Sequence, residues 1–527
     1  MRQLSFASLP EGGTPPEWRF PTGAWGGRAL SRPTVNRARS VVVRSERHVA
    51  FPGICKTRSG ALLVVYREGY AHASGNPDDG RIMLTRSCDG GRSWEEPVVA
   101  YDDPEFDDRN AAISCMRDGT VVLIWDKYLH GKHHWAWLST SQDEGRSWSP
   151  AIRVSDTQDV HTRSPAIDLG NGKWLIPYSE STDSPTVATF FSHFDPASHA
   201  FDEVAVTPRG QRNIADEVCV TRAPNGDLVA LIRSNTDPVL FQIVSHDDGR
   251  TWSPPWMTTI PSQFTPADLI TLENGWLLCG FSFRERRNER LVVSRDNGVS
   301  WDVENSADLF VATPSVSDRS YPALVQLDPQ TVGAVLYETA PAPEGGAIYF
   351  VTAPLSALSA PKQPVLYQGD LNADPAVALF PETVAGTPVE VAYRFTGRFG
   401  PPPNAAGLLL EYKDAQNYTA LEFQMGTSAD RQSLPTNYVQ LVRCVAGQRE
   451  VVQGQEAREG QYDTGNMHRL GARQEGDEWV MLLDGNAQLR VPLSLGRPCG
   501  FLVRRAAVAL YEASWLEAPE KPSPKAR

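Results

Sequence analysis

The chain lacks the features that would place it in several large protein classes. Its seven cysteines (Cys55, Cys88, Cys115, Cys219, Cys279, Cys444 and Cys499) are odd in number and scattered, and none form a Cys-x-x-Cys pair. That pattern argues against a disulfide framework and against a cysteine zinc site. No run of Lys and Arg forms a basic stripe and the formal net charge is −13, which argues against a nucleic-acid partner. A locally basic pocket for a small acidic ligand is still compatible with that charge. No apolar run is long enough to span a bilayer, so no membrane partner is expected. The opening segment MRQLSFASLPEGGTPPEWRF lacks the apolar core of a secretion signal. The expectation is a cytoplasmic protein, or a secreted one whose leader has been trimmed. Helical periodicity is almost absent.

What the chain does contain is ordinary globular material, 41% hydrophobic and 21% charged, in 527 residues, a length that calls for more than one domain. The pattern Ser-x-Asp-x-Gly-x-x-Trp occurs four times, at Ser87–Trp94, Ser141–Trp148, Ser245–Trp252 and Ser294–Trp301. Each copy follows a short β-type run, which puts it on a hairpin turn. There Asp accepts bonds from the turn's amides, Gly supplies positive φ and Trp tucks its ring between strands. The motif is structural and carries no catalytic role.

A longer repeat is superimposed on it: a polar or proline-containing start, an apolar strand, a Gly turn, and a second apolar strand. Six copies are legible, beginning AFPGICKTRSGALLVVYRE, RNAAISCMRDGTVVLIWD, RSPAIDLGNGKWLIPYSE, DEVCVTRAPNGDLVALIRS, TPADLITLENGWLLCGFS and SYPALVQLDPQTVGAVLYE. They recur about every 50 to 60 residues, enough for one four-stranded blade each, which predicts a six-bladed β-propeller. After about Leu366 the repeat stops, and segments such as AGLLLEYKD, YTALEFQM and YVQLVRCV alternate as antiparallel strands do. A jelly-roll sandwich is the natural solution. This part resembles the concanavalin-type domains often appended to carbohydrate-active enzymes, with a structural or a sugar-binding role. The expected class is all-β. The expected division is an N-terminal extension (1–40), a propeller (41–362), a sandwich (366–517) and a disordered tail (518–527).

In a propeller the innermost strands surround one channel, and residues at one end of them converge on a pocket. The first residues of the six repeats are Ala50/Phe51, Arg109/Asn110, Arg163/Ser164, Asp216/Glu217, Thr265 and Ser320/Tyr321. The returning strands add Arg67, Asp126, Glu180, Arg233, Arg284 and Glu338. Arginines and carboxylates dominate, as a pocket for an anion requires.

Over roughly residues 45 to 360 the Asp motifs and this residue order together resemble the bacterial exo-sialidases. The resemblance implies that Tyr321 in SYPALVQLDPQTVGAVLYE is a nucleophile and that Glu217 in DEVCVTRAPNGDLVALIRS is its activating base. It further implies that Arg233 and Arg287 belong to a carboxylate-binding arginine triad, and that the acid/base is an aspartate in the loop before the first Asp motif. HASGNPDDGRI offers Asp78 and Asp79 for that last role. The chemistry is coherent. A sugar carrying a carboxylate on its anomeric carbon would repel a carboxylate nucleophile, and a neutral phenol avoids this. With a pKa near 10, however, the phenol needs a base within reach.

At one place the pattern departs from the family. Where its first triad arginine sits in an Arg-Ile-Pro segment, this chain has Ala50-Phe51-Pro52. Arg109, Arg163, Arg67 and His72 are the residues expected to rebuild the anion site in a rotated position. That would suit sialic acid or another ulosonic or uronic acid at the end of a glycan. Neither a cofactor nor a metal is expected, since nothing has metal-ligand spacing. Two other readings stay open. One is a glycosidase acting on a neutral sugar through paired carboxylates, Glu217 with Asp79, Asp126 or Glu338. The other is a non-catalytic carbohydrate-binding propeller.

Overall fold

The computed structural model describes residues 2–5, 18–22, 24–25, 39–72, 76–77, 79–180, 188–207, 216–235, 239–262, 264–283, 288–303, 306–311, 318–339, 345–358, 365–367, 375–381, 388–398, 404–425, 438–457, 468–483, 485–504 and 506–515. Among these residues there is no α-helix; the elements are strands and short 3-10 turns. Six of the sheets are small and follow one another in sequence. Each starts on an inner strand: His48–Lys56, Asp107–Cys115, Val160–Thr162 with Ile167–Asp168, Val218–Arg222, Ala267–Thr271 and Asp318–Asp328. Each continues outward through antiparallel hairpins. Neighbouring inner strands pack side by side, and Asp318–Asp328 lies against His48–Lys56, which closes a ring. The fold is the expected six-bladed propeller.

The interior explains why the blades stay together. Six apolar clusters occur in this part of the molecule, and each draws its side chains from two adjacent blades, including the last with the first. A sheet with two apolar faces must bury both, and a closed ring of wedges does so without leaving a free face. The tryptophans of the Asp motifs belong to these seams. The Trp94 ring meets Phe350 of the sixth blade edge-on at 5.6 Å, and Trp252 stacks on Phe191 of the third at 4.6 Å. Trp301 is buried and donates through Nε1 to Gln242 Oε1 of the fourth at 2.9 Å.

The motif itself is a hydrogen-bonded turn, as its composition predicts. Ser87 Oγ donates to Asp89 Oδ1 at 2.8 Å and accepts from Gly91 N at 2.8 Å, while Asp89 Oδ1 accepts from Ser93 N at 2.9 Å. The other three copies repeat this set. Donation from Thr251 to Asp247 brings that carboxyl down to about 2. Gly91 is required twice over: its φ is +86°, and a Cβ there would fall 2.3 Å from the Phe350 ring.

The sixth blade is completed from the other end of the chain. Its outer strand is Arg39–Ser45, paired antiparallel with Gly346–Pro354. Earlier still, Arg2–Ser5 and Ala24–Trp25 join an eight-stranded sheet and Arg19–Thr22 joins a seven-stranded one. Those two sheets contain the strands from Val365–Tyr367 to Ala506–Trp515, and their facing apolar side chains form one large core. This is the expected sandwich, but the segment read from sequence as an extension supplies strands to both of its sheets.

Trp301→Ala should therefore act as a blade-seam lesion, removing a buried indole and orphaning Gln242 Oε1, at a cost of about 3–5 kcal/mol. Denaturant unfolding of the two proteins checks this; a loss below about 1 kcal/mol would show that the seam does not carry the fold.

Candidate active site

Three inner strands begin with the same irregularity. Ladder pairing jumps from Ala50↔Arg67 to Gly53↔Val65, from Asp126↔Arg109 to Ile124↔Ala112, and from Ser320↔Tyr337 to Ala323↔Val335. In each case two residues oppose one, which defines a β-bulge. Phe51, Asn110 and Tyr321 sit in these bulges with φ of +54°, +50° and +58°. Pro52 and Pro322 follow two of them and have no N–H to give the ladder, so pairing cannot run through these positions. A bulge re-aims its side chain, and here the Phe51 and Tyr321 rings from neighbouring blades meet edge-on at 5.1 Å.

Around Tyr321 the predicted pair assembles. Its Oη donates to Glu217 Oε2 at 3.3 Å, and Arg233 Nη1 lies 3.3 Å from the same Oη. Arg233 Nη1 also makes a close charge-assisted hydrogen bond to Glu217 Oε2. Burial, followed by the Glu217 charge, holds the Tyr321 phenol well above its ordinary value, against the pull of Arg233 and Arg163. The phenol is thus protonated at rest and hydrogen-bonded to a carboxylate, the arrangement a base-activated oxygen nucleophile needs.

Arg233 is positioned by a residue to which the sequence pattern gives no role. Its Nε lies 3.4 Å from Asp216 Oδ2, which also accepts from Asn235 Nδ2 at 2.6 Å. The other oxygen, Asp216 Oδ1, is 2.7 Å from His161 Nε2 and accepts from Glu217 N at 2.9 Å. Burial works against the charge on His161, but the Asp216 carboxylate outweighs it and raises the imidazole to about 9. Asp216 stands beside Glu217 at the start of the fourth repeat, and that adjacency was the available signal.

The remaining predicted residues separate into groups. Arg67 is fully buried and its guanidinium is occupied: Nε and Nη2 donate to Asp107 at 2.8 and 2.9 Å, Nη2 to Asp79 Oδ2 at 3.3 Å, and Nη1 to Ala71 O at 2.7 Å. Asp79 also accepts from Tyr70 N at 2.7 Å. Arg67 and Asp79 are thus brought to each other and not to Tyr321, as a buried ion pair must be. Arg109 and Arg163 are both buried beside the two rings. Arg109 lies 5.5 Å from the Phe51 centroid and 4.9 Å from that of Tyr128, and Arg163 lies 5.0 Å from that of Tyr321. Their Nε atoms have no hydrogen-bond partner among the described residues. Burial lowers the Arg109 pKa. Asp78 and Arg287 lie outside the described residues.

His72 is brought to a second cluster. Asp318 Oδ2 lies 2.9 Å from His72 Nδ1 and 2.8 Å from His48 Nε2, while Oδ1 accepts from Tyr337 Oη at 2.7 Å. Two histidines and an aspartate so close have the look of a metal triad, but Arg67 argues otherwise. Its Nη1 donates to His48 Nδ1 at 3.3 Å, so the proton of the neutral imidazole sits on Nε2 and that nitrogen has no lone pair to offer. Asp126, a carboxylate of the neutral-sugar reading, is held by Asn110 Nδ2 at 3.0 Å, Thr162 N at 2.9 Å and His133 Nδ1 at 2.6 Å.

Residues 60–333, more than half of the chain, match the family described as BNR repeat-like domain. The chain belongs to that family. A sialidase of Bacteroides fragilis is 24% identical over 335 residues, which cover 55% of this chain and 59% of that protein. The chain thus matches less than two thirds of that relative's length. Among solved structures, a Dyadobacter fermentans protein of unknown function superposes with a TM-score of 0.53 at 18% identity, over 61% of this chain and 99% of that one. Trypanosoma rangeli sialidase does so at 0.50 and 11% identity, over 94% of this chain and 97% of its own. At such identities the structures speak for the fold alone.

Two outcomes follow from the charges. Arg67→Ala strands Asp107 and Asp79 in the interior and should destabilise the protein by about 3–5 kcal/mol, read as a fall in the urea midpoint. His161 has a folded pKa of about 9 against an ordinary 6.5, so the stability its proton contributes is complete below about pH 6.5 and is lost as pH rises through 9. His161→Gln should flatten the dependence of unfolding free energy on pH across that window; an unchanged slope would show that His161 is not charged.

Proposed function

We propose that this protein is a retaining, exo-acting glycoside hydrolase of the sialidase type that releases a terminal acidic sugar from a glycan or glycoconjugate. The observation that carries the reading is the hydrogen bond from Tyr321 Oη to Glu217 Oε2 at 3.3 Å, with the Arg233 guanidinium bridging the two. In the first step Tyr321 Oη attacks the anomeric carbon and its proton passes to Glu217. The glycosidic bond breaks, and the leaving oxygen takes a proton from a separate acid. In the second step water attacks the same carbon and gives a proton to the acid/base. The bond to tyrosine breaks with its electron pair on the phenolate oxygen, and Glu217 returns the proton.

Of the two aspartates expected to serve as acid/base, Asp79 is engaged by Arg67 and the Tyr70 amide, so the role is assigned to Asp78. Arg233, Arg109 and Arg163 are assigned to the substrate's carboxylate, with Arg287 as the family resemblance implies. Support comes from burial: a guanidinium out of water with an unfilled Nε favours an anion. Ala50 in place of the family arginine moves the anion site off its usual position, which favours an acidic sugar other than sialic acid. The neutral-sugar alternative needs a second free carboxylate beside Glu217. Asp79 and Asp126 are both tied into other networks, and Glu338, the third carboxylate of that reading, is partnered as well.

Hydrolysis of aryl glycosides of sialic acid, other ulosonic acids, uronic acids, arabinose and rhamnose tests this. Release from an acidic sugar is expected, and Tyr321→Phe should lower kcat by more than about a thousandfold, whereas a tyrosine used only for binding would cost about ten- to a hundredfold. Release from a neutral sugar that survives Tyr321→Phe would refute the proposal.

A further inference from the structure

Arg163 stands in an unusual relation to Tyr321. The two come from different blades, the third and the sixth. The guanidinium carbon lies 5.0 Å from the centre of the phenol ring, and Nη2 donates to the carbonyl of Pro322, the next residue after the tyrosine, at 3.1 Å. The side chain is 4% exposed, and its charge is felt by the buried Asp268 carboxyl without a direct hydrogen bond between the two. A guanidinium buried without a paired anion is costly unless some charge develops beside it.

The negative charge that develops there is that of the nucleophile. A neutral phenol attracts a cation over its face only through the ring quadrupole. In a phenolate the charge is shared with the ring carbons, so the same cation attracts it as an ion. An interaction stronger in the charged than in the neutral state is one that accelerates reaction. Glu217 and Asp216, the anions nearest the phenol, oppose phenolate formation, and Arg233, the other nearby cation, is already engaged with both of them. Arg163 is paired with neither of them, although the buried Asp268 carboxyl also feels its charge.

We infer that Arg163 is a catalytic residue that stabilises the Tyr321 phenolate, through the face of its ring, whenever the tyrosine attacks or departs. The inference rests on the proposed reading of Tyr321 as nucleophile, and it is separate from any grip Arg163 has on substrate. As tyrosine leaves the glycosyl-enzyme the C–O bond electrons pass to the phenolate oxygen, and the cation over the ring stabilises the product of that step. The hydrogen bond to Pro322 fixes the cation to the same bulge that aims the nucleophile, so the two keep a common frame.

The test needs no sugar. Benzenesulfonyl fluoride labels an activated tyrosine: the phenol oxygen attacks sulfur, fluoride leaves with the S–F electron pair, and the phenol proton passes to Glu217 or solvent. Labelling of Tyr321 is followed by intact mass and peptide mapping in the native protein, Arg163→Met, Arg163→Gln and Arg163→Lys, with Tyr321→Phe as the blank. The expected result is that Met and Gln each slow labelling at least about tenfold while Lys stays within about threefold, because a nearby unit charge shifts phenol acidity by roughly one to two pK units. Gln can still donate to Pro322, so a Gln variant as fast as the native protein would mean that the hydrogen bond and not the charge matters, and would overturn the inference. Lys as slow as Met would overturn it too. If Met does not fold, judged by thermal melting, the Gln and Lys comparison decides alone. Failure of the native protein to label at Tyr321 would remove the nucleophile itself, a result distinct from equal labelling across the variants.

Discussion

Everything at the candidate site depends on the ring being closed. Tyr321 comes from the sixth blade, Glu217 and Arg233 from the fourth, Phe51 from the first and Arg163 from the third, and no two adjacent blades contain the set. What holds these blades in one circle is the succession of apolar seams, each shared between neighbours, together with the antiparallel pairing of Arg39–Ser45 to Gly346–Pro354. The seams have no chemistry of their own. They set the distances at which chemistry becomes available, and the bulges turn three inner-strand side chains from the ladder toward the centre.

Within that frame, arginines of the same type in equivalent places do opposite work. Arg67 and Arg233 both stand where the second strand of a repeat returns to the channel. Arg67 faces Asp107 and Asp79, and every nitrogen is occupied, so it ties the first blade to the second. Arg233 faces Asp216 and Glu217 and retains contact with a phenol that can react. The difference lies in what the neighbouring inner strand supplies, a bidentate aspartate in one case and an aspartate–glutamate pair in the other.

That distinction also marks how far sequence reasoning reached. Blade number, blade order and the turn chemistry of the Asp motifs were legible because they repeat, and a repeat is its own control. Tyr321 and Glu217 stood out among the residues that open the repeats because the family resemblance implies roles for them. The state of Arg67, Asp79 and Asp318 was not, because it depends on partners 40, 12 and 270 positions away in the numbering, which no local pattern encodes. The early strands Arg2–Ser5 and Arg19–Thr22 were missed for the same reason: short, Pro- and Gly-flanked segments show no alternation until a distant partner gives them an edge.

Those early strands have a consequence for how the molecule is made. During synthesis Arg2–Ser5 emerges long before its partner Ala506–Trp515, and Arg39–Ser45 must likewise wait for Gly346–Pro354. These pairings lace distant stretches of the chain together, and such non-local contacts are associated with slow folding. Its halves also cannot be parted between Leu358 and Val365 without tearing strands out of the second sheet pair, so the polypeptide has two cores but a single thread.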